Sequence, residues 1–219
     1  HPDKLEWVGA EIVPPGTMSY AGEACSIRGC DYIFLACAGA FLVPFMKEAA
    51  AKGYEGKFII HNGVQNWNLL RDAAGKSFVD GCIALQVCGW YTDDTPGGEV
   101  VRGYIGKHWP TAEEKQKIYG EYSYCSLIAC FLPIFEGIRI AAQDVGPENI
   151  TGEAVYQALQ KLDYTAKDFG IDGWHGPVKT SPEERICMNY TRIYRYSAER
   201  DRFEPVTDWL SLKGMWPVE

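Results

Sequence analysis

The stretch 31–63 constrains this chain more than any other. An apolar run, Asp31-Tyr-Ile-Phe-Leu-Ala-Cys37, meets a turn of small residues, Ala38-Gly39-Ala40, and a helical pattern follows as far as Lys52. A second apolar run, Lys57-Phe-Ile-Ile-His61, then ends in Asn62-Gly63. Strand, tight turn, helix and strand predict a βαβ unit, because parallel strands need a crossover and a helix supplies it. Both strand ends then open on one edge of one sheet. Open α/β sheets bind small ligands at that edge, where helix N-termini and free backbone amides converge.

With 219 residues, 47% of them hydrophobic and 23% charged, the chain can bury a substantial core. A formal charge of -8 argues against nucleic acid or an anionic membrane surface as partner, since either repels an acidic surface. No apolar run approaches the roughly 20 residues of a membrane helix, so a soluble chain is expected. The opening His1-Pro-Asp-Lys4 has neither an initiator Met nor a signal segment, and the sequence is expected to start inside a longer protein.

Strand and helix signals continue along the chain. Residues 6–13 read as a strand already under way, and Pro14-Pro15-Gly16 breaks it. Ser19 and Glu23 give weak helix-start chemistry for a helix reaching about Arg28. Within 40–52, Phe41, Phe45, Met46 and Ala49 recur at helical spacing, and Gly53 has the place of a terminating glycine. A helix near 69–74, a strand over 80–88 and a turn-rich stretch at 89–98 come next. Beyond it we expect a helix at 98–108 and a long apolar helix from 112 or 122 to 143, kinked at Pro133. A helix over 151–160 capped by Thr151 follows, then strands at 176–178, 188–196 and 203–209, with 197–202 as a hairpin loop.

The eight cysteines form no CxxC pair and no Cys/His cluster with zinc spacing. Cys37, Cys82, Cys88 and Cys130 lie in apolar runs and are expected as small buried hydrophobes. A Cys25–Cys30 disulfide is the alternative use for that pair.

In this order the elements resemble the C-terminal part of the type I periplasmic solute-binding proteins that feed ABC importers of branched-chain amino acids, amides and aromatic acids. The similar stretches are 7–20, 31–63, 121–142, 151–162, the segment Gly176-Pro-Val-Lys-Thr-Ser181, and 193–209. The resemblance implies an α/β fold of two lobes joined by a hinge, with mostly parallel sheets flanked by helices and the first lobe only partly present. It places residues 1–90 in the second lobe, 91–190 in the first, and 191–219 in the hinge return and final strands.

The same resemblance implies a ligand held between the lobes by Ala38, Gly39, Ala40, Phe41, Asn62, Trp67, Trp90, Tyr91 and Tyr122. Each has a physical use. Gly39 and Ala40 leave backbone N–H groups open at a helix N-terminus, which suits an anionic oxygen. Asn62 donates and accepts, while Tyr91 and Tyr122 offer a ring face and a hydroxyl. Amino-acid-binding members carry an acidic residue at the loop position of Asn62, so an ordinary amino acid is disfavoured here.

The implied function is an extracytoplasmic receptor, at the periplasmic or outer face of a bacterial membrane. It delivers a small carboxylate-bearing ligand, amino-acid-like or aromatic, to an ABC permease. The missing N-terminal portion is the other implied partner, and no metal, cofactor or catalytic residue is implied. No nucleophile elbow, phosphate loop or HExxH spacing occurs. Two other readings stay open: a regulatory domain of this fold that senses amides, and an α/β enzyme with a cysteine nucleophile.

Overall fold

The computed structural model describes residues 4–14, 17, 19–36, 39–61, 67–119 and 122–213. In chain order it contains α1 (Ala21–Ser26), β1 (Tyr32–Leu35), α2 (Gly39–Ala51), β2 (Lys57–His61), α3 (Trp67–Ala74) and β3 (Ile83–Gln86). Then come α4 (Pro96–His108), α5 (Ala112–Tyr119), α6 (Tyr122–Val145), α7 (Gly152–Leu159), β4 (Asp163–Tyr164) and β5 (Val178–Lys179). The chain closes with β6 (Tyr190–Ser197), β7 (Arg202–Pro205) and β8 (Leu210–Ser211).

β1 pairs parallel with β2, Ile33 opposite Phe58 and Leu35 opposite Ile60, and β2 pairs parallel with β3. The expected βαβ unit is therefore present, and the C-terminal ends of all three strands share one edge. β6 returns antiparallel along β3, and both β7 and β8 pair with β6, giving the order β1-β2-β3-β6-β7. The architecture is α/β: a central sheet, parallel through its first three strands, flanked by helices. Phe58, Ile60, Leu42, Met46 and Leu70 are among the side chains that bury the α2 and α3 layer against it. A small second core of Leu162, Tyr164 and Val178 forms under the β4–β5 pair, beside α6 and α7.

Local chemistry explains the boundaries. Gly53 has φ +72°, where a side chain is strained, and it ends α2. Thr95 accepts a hydrogen bond from the Gly98 N–H, so α4 begins at Pro96, two residues earlier than expected. Thr151 accepts from the Ala154 N–H and caps α7 as expected. α5 and α6 are separate helices, and Pro133 lies inside α6.

Several expectations are corrected. Residues 6–13 form no strand: Leu5, Trp7 and Ile12 are 77%, 80% and 94% exposed, and no described strand pairs with the segment. An alternating pattern makes a strand only where a ladder partner satisfies its backbone. α1 starts at Ala21 with no side-chain cap on Tyr20, whose N–H donates to the Glu48 carboxylate instead. The strand expected over 80–88 shortens to 83–86, and the one over 203–209 ends at Pro205, with β8 forming only after it at Leu210–Ser211.

Cys25 and Cys30 are free thiols rather than a disulfide. Cys82 and Cys88 are buried as expected, but Cys130 is exposed, and Cys37 lies outside the described residues. The helix segment Tyr124–Val145 is, by length and composition, apolar enough to cross a membrane, contrary to the expectation that no run approaches that length. A third of its apolar window is buried in this fold, and Glu136 and Arg139 pair on it at 2.6 Å.

Candidate functional site

A cavity of about 520 Å³ lies between the β6–β7 hairpin, α3, the residues that follow β3, α4 and α5. Its described walls come from Trp67, Asn68 and Arg71 of α3, from Trp90, Tyr91, Thr92 and Asp94, from Arg102 of α4, from Gln116 and Tyr119 of α5, and from Asp201, Arg202 and Phe203 of the β6–β7 hairpin. The volume lies inside the range of small-molecule sites, about 300–1,000 Å³.

Five rings form a continuous arc along it. Trp67 meets Phe203 at 4.7 Å between centroids, Phe203 meets Trp90 at 4.8 Å, Trp90 meets Tyr91 at 6.1 Å, and Tyr91 meets Tyr119 at 5.2 Å. Tilted and edge contacts of this kind fix ring orientation beyond simple burial. The Trp67 ring is 3% exposed and its Nε1–H has no hydrogen-bond partner among the described residues.

Three arginines stand against two aspartates on the described lining, on a chain whose formal charge is -8. Arg71 is committed: it pairs with Asp72 at 2.8 Å and with Asp201 at 3.0 Å. Asp201 also accepts from Lys76 and from the Tyr196 hydroxyl, each at 2.5 Å. Burial pushes its carboxyl up, but the Lys76, Tyr196 and Arg71 contacts outweigh this and hold it below the usual range. Arg202 pairs with Glu204 at 3.0 Å. Arg102 differs. One of its Nη groups donates to the carbonyls of Tyr91 (2.6 Å) and Asp93 (2.8 Å), and its other N–H groups have no partner among the described residues.

Behind the cavity the crossover is tied to the returning strand. Asp93 is 1% exposed and accepts from the Tyr194 hydroxyl at 2.6 Å, with Arg192 at 3.4 Å. Burial pushes this carboxyl up, with the Tyr194 and Arg192 contacts opposing the shift. Arg192 also donates to the Thr207 carbonyl, and Thr92 donates to that of Phe203. Gly89 permits this packing: a Cβ there would stand 2.8 Å from the Trp174 ring.

Of the residues named from sequence, Trp67, Trp90 and Tyr91 line this cavity together. Tyr122 does not reach its lining. It is fully buried, stacks on Trp90 at 5.1 Å and 20°, and brings its hydroxyl within 3.0 Å of the Cys88 sulfur. Gly39, Ala40 and Phe41 open α2 at the end of β1, two strands from β3, and the described lining comes from α3 onward. Ala38 and Asn62 lie outside the described residues. Arg71, Arg102, Tyr119 and Phe203 escaped the sequence reading. Only the i,i+4 spacing of Trp67 and Arg71 on α3 offered a local signal.

Desolvation pushes the Cys82, Cys88 and Cys125 thiols up, opposite to the shift an attacking thiolate needs.

No protein-family model and no curated protein matches the sequence. Solved structures do match in fold. A structure from the Pseudomonas fluorescens group, described as an ABC transporter permease, superposes with a TM-score of 0.71 at 20% identity, over 89% of this chain and 47% of its own. A branched-chain amino acid ABC transporter protein from Thermus thermophilus with bound valine gives 0.67 at 19%, over 92% and 52%. A fatty acid ABC transporter substrate-binding protein from Thermomonospora curvata gives 0.64 at 14%, over 92% and 49%. The chain spans about half the length of each, and over that half it has the type I periplasmic binding-protein fold.

Proposed function

We propose that this chain is part of an extracytoplasmic solute receptor that delivers a small carboxylate-bearing ligand to an ABC importer. The observation that carries the reading is the aromatic cavity between α3, the residues that follow β3 and the β6–β7 hairpin, bordered by more arginine than aspartate. The fold likeness supports it, as do the valine and fatty acid in the names of two neighbours, both carboxylates. Residues 1–90 then belong to one lobe, 91–190 to the other, and 191–219 to the return across the hinge.

A receptor of this kind needs no catalysis. Ligand closes two lobes because it touches both in the closed form and one in the open form. The remainder of the receptor packs on the exposed apolar side of α6, and the permease receives the closed form.

The test is a thermal-shift panel of amino acids, amides, aromatic acids and fatty acids on the full-length protein. A rise with at least one carboxylate class is expected; no rise with any of them ends the proposal.

A second reading rests on one observation. All seven described cysteines are free thiols, which suits a reducing compartment and a sensory domain of the same fold that passes its signal to a protein partner. Cell fractionation decides between them: recovery with the cytoplasmic fraction favours the sensor, and recovery outside it favours the receptor.

A further inference from the structure

We infer that one face of the central sheet is a docking surface for a strand–helix unit from the remainder of the receptor, the strand pairing with the outer edge of β1 and the helix lying across the face. The inference rests on the receptor reading and names what completes its sheet. The strand registers divide that sheet into two unlike faces. Phe58, Ile60, Ala84, Tyr194 and Tyr196 share one face and are all buried. On the other, Phe34 stands opposite Ile59, Ile59 opposite Ile83, and Leu85 opposite Ile193. None of these four strands buries a residue there, and Tyr32 and Phe34 are each more than half exposed. Parallel strands are covered by helices on both faces, and adjoining apolar side chains left bare mark a place of association.

Right-handed connections restrict what can cover it. α2 and α3 carry the chain from β1 to β2 to β3 and pack on the buried face, where right-handed crossovers in that direction place them. α1 lies on the same side: Tyr20 before it meets Phe45 of α2 at 6.0 Å, and Ala24 and Ile27 join the same core. A helix reaches the bare face only through a connection that runs the opposite way, outward from β1. β1 ends the strand order, so its outer edge offers unpaired N–H and C=O groups. The segment 6–13, which leads towards α1, exposes Trp7, Val8 and Ile12 and has no ladder partner among the described residues. One added unit meets all three needs. Its strand sits between β1 and 6–13 and pairs with both, and its helix, apolar on one side, crosses the bare face on the way to 6–13. This chain spans about half the length of its neighbours in fold, so the remainder of such a receptor has residues enough to supply the unit.

The experiment measures hydrogen exchange by mass spectrometry on the full-length receptor and compares one substitution in that protein and in the 219-residue chain. Amides of 6–13 and of β1 in the full-length protein are expected to exchange at least about a hundredfold more slowly than unstructured peptide. Phe34→Thr is expected to lower the unfolding temperature of the full-length protein by roughly 6–10 °C, and that of the 219-residue chain, where the ring meets water, by no more than about 3 °C. A full-length variant too unstable to purify, beside a 219-residue variant that folds, counts as the larger loss. Exchange of 6–13 at the unstructured rate overturns the inference, as does an equal loss in the two proteins. Sedimentation of the 219-residue chain as a dimer that Phe34→Thr dissociates assigns the face to a second copy and overturns it too. No solute enters any of these readouts, so failure here and failure of the carboxylate panel are separate results.

Discussion

The surroundings of Trp90 and the outer side of α6 are both rich in apolar side chains, yet they are finished to different degrees. Trp90 is 3% exposed, with Tyr122 stacked on it and Phe203 and Tyr91 at its edges. Along α6, Leu127, Phe131, Ile134, Phe135 and Ile138 recur at helical spacing and all stand exposed, while Cys125 and Ala129 on the opposite side are buried. An apolar stripe of that size on a folded surface marks a place of association. The difference teaches that packing around Trp90 is complete within the described residues, whereas the outer side of α6 is not.

Trp90→Ala should test the finished side most severely. Losing a fully buried ring costs about 3–5 kcal/mol, read as a fall in the denaturant midpoint. A loss below about 1 kcal/mol would break the contrast with α6.

Tyr194→Phe is the next largest. It removes the hydroxyl that donates to buried Asp93, a bond to a charged group worth about 1.5–3 kcal/mol. Asp93 already titrates above its ordinary 3.8 because burial disfavours the ion. Stability held by its protonated form is therefore fully present below that value and lost as pH rises through the raised one. The substitution raises it further, so the variant should match the parent in acid and fall behind towards neutrality. A pH-independent deficit in unfolding temperature would contradict this.

Thr151→Ala should remove about 1 kcal/mol through loss of the α7 cap, measured by thermal unfolding. Smallest of all, Phe135→Lys should change stability by less than about 0.5 kcal/mol, because its ring touches mainly water. It should also lower the binding of an apolar fluorescent dye. A stability loss as large as that of Trp90→Ala would show that the α6 side is already covered.

Much of the fold was legible because its signals are local. The apolar runs at 31–37 and 57–61, the small-residue turn between them and Gly53 all act within a few residues, and the parallel pairing follows from them. The strand expected over 6–13 failed for the converse reason: alternation is local, but the partner that would complete its ladder is not. α6 was misjudged because Pro133, Glu136, Gly137 and Arg139 interrupt its apolar run, while the helix continues through them. In the cavity, Trp67, Trp90 and Tyr91 were visible as aromatics just past strand ends. Arg102 and Phe203 were not, since nothing near them in sequence tells which hollow they border. That is decided when β6 and β7 come back along β3.

The Arg71–Asp201 pair joins positions 130 residues apart, and Phe203 closes the ring arc from the same hairpin. During synthesis the three parallel strands emerge and pair well before that hairpin leaves the ribosome, since contacts so distant in sequence form late. The hairpin wall of the cavity is thus the last part to take shape, and nascent chains halted before residue 190 should be ordered in their early strands yet lack that wall.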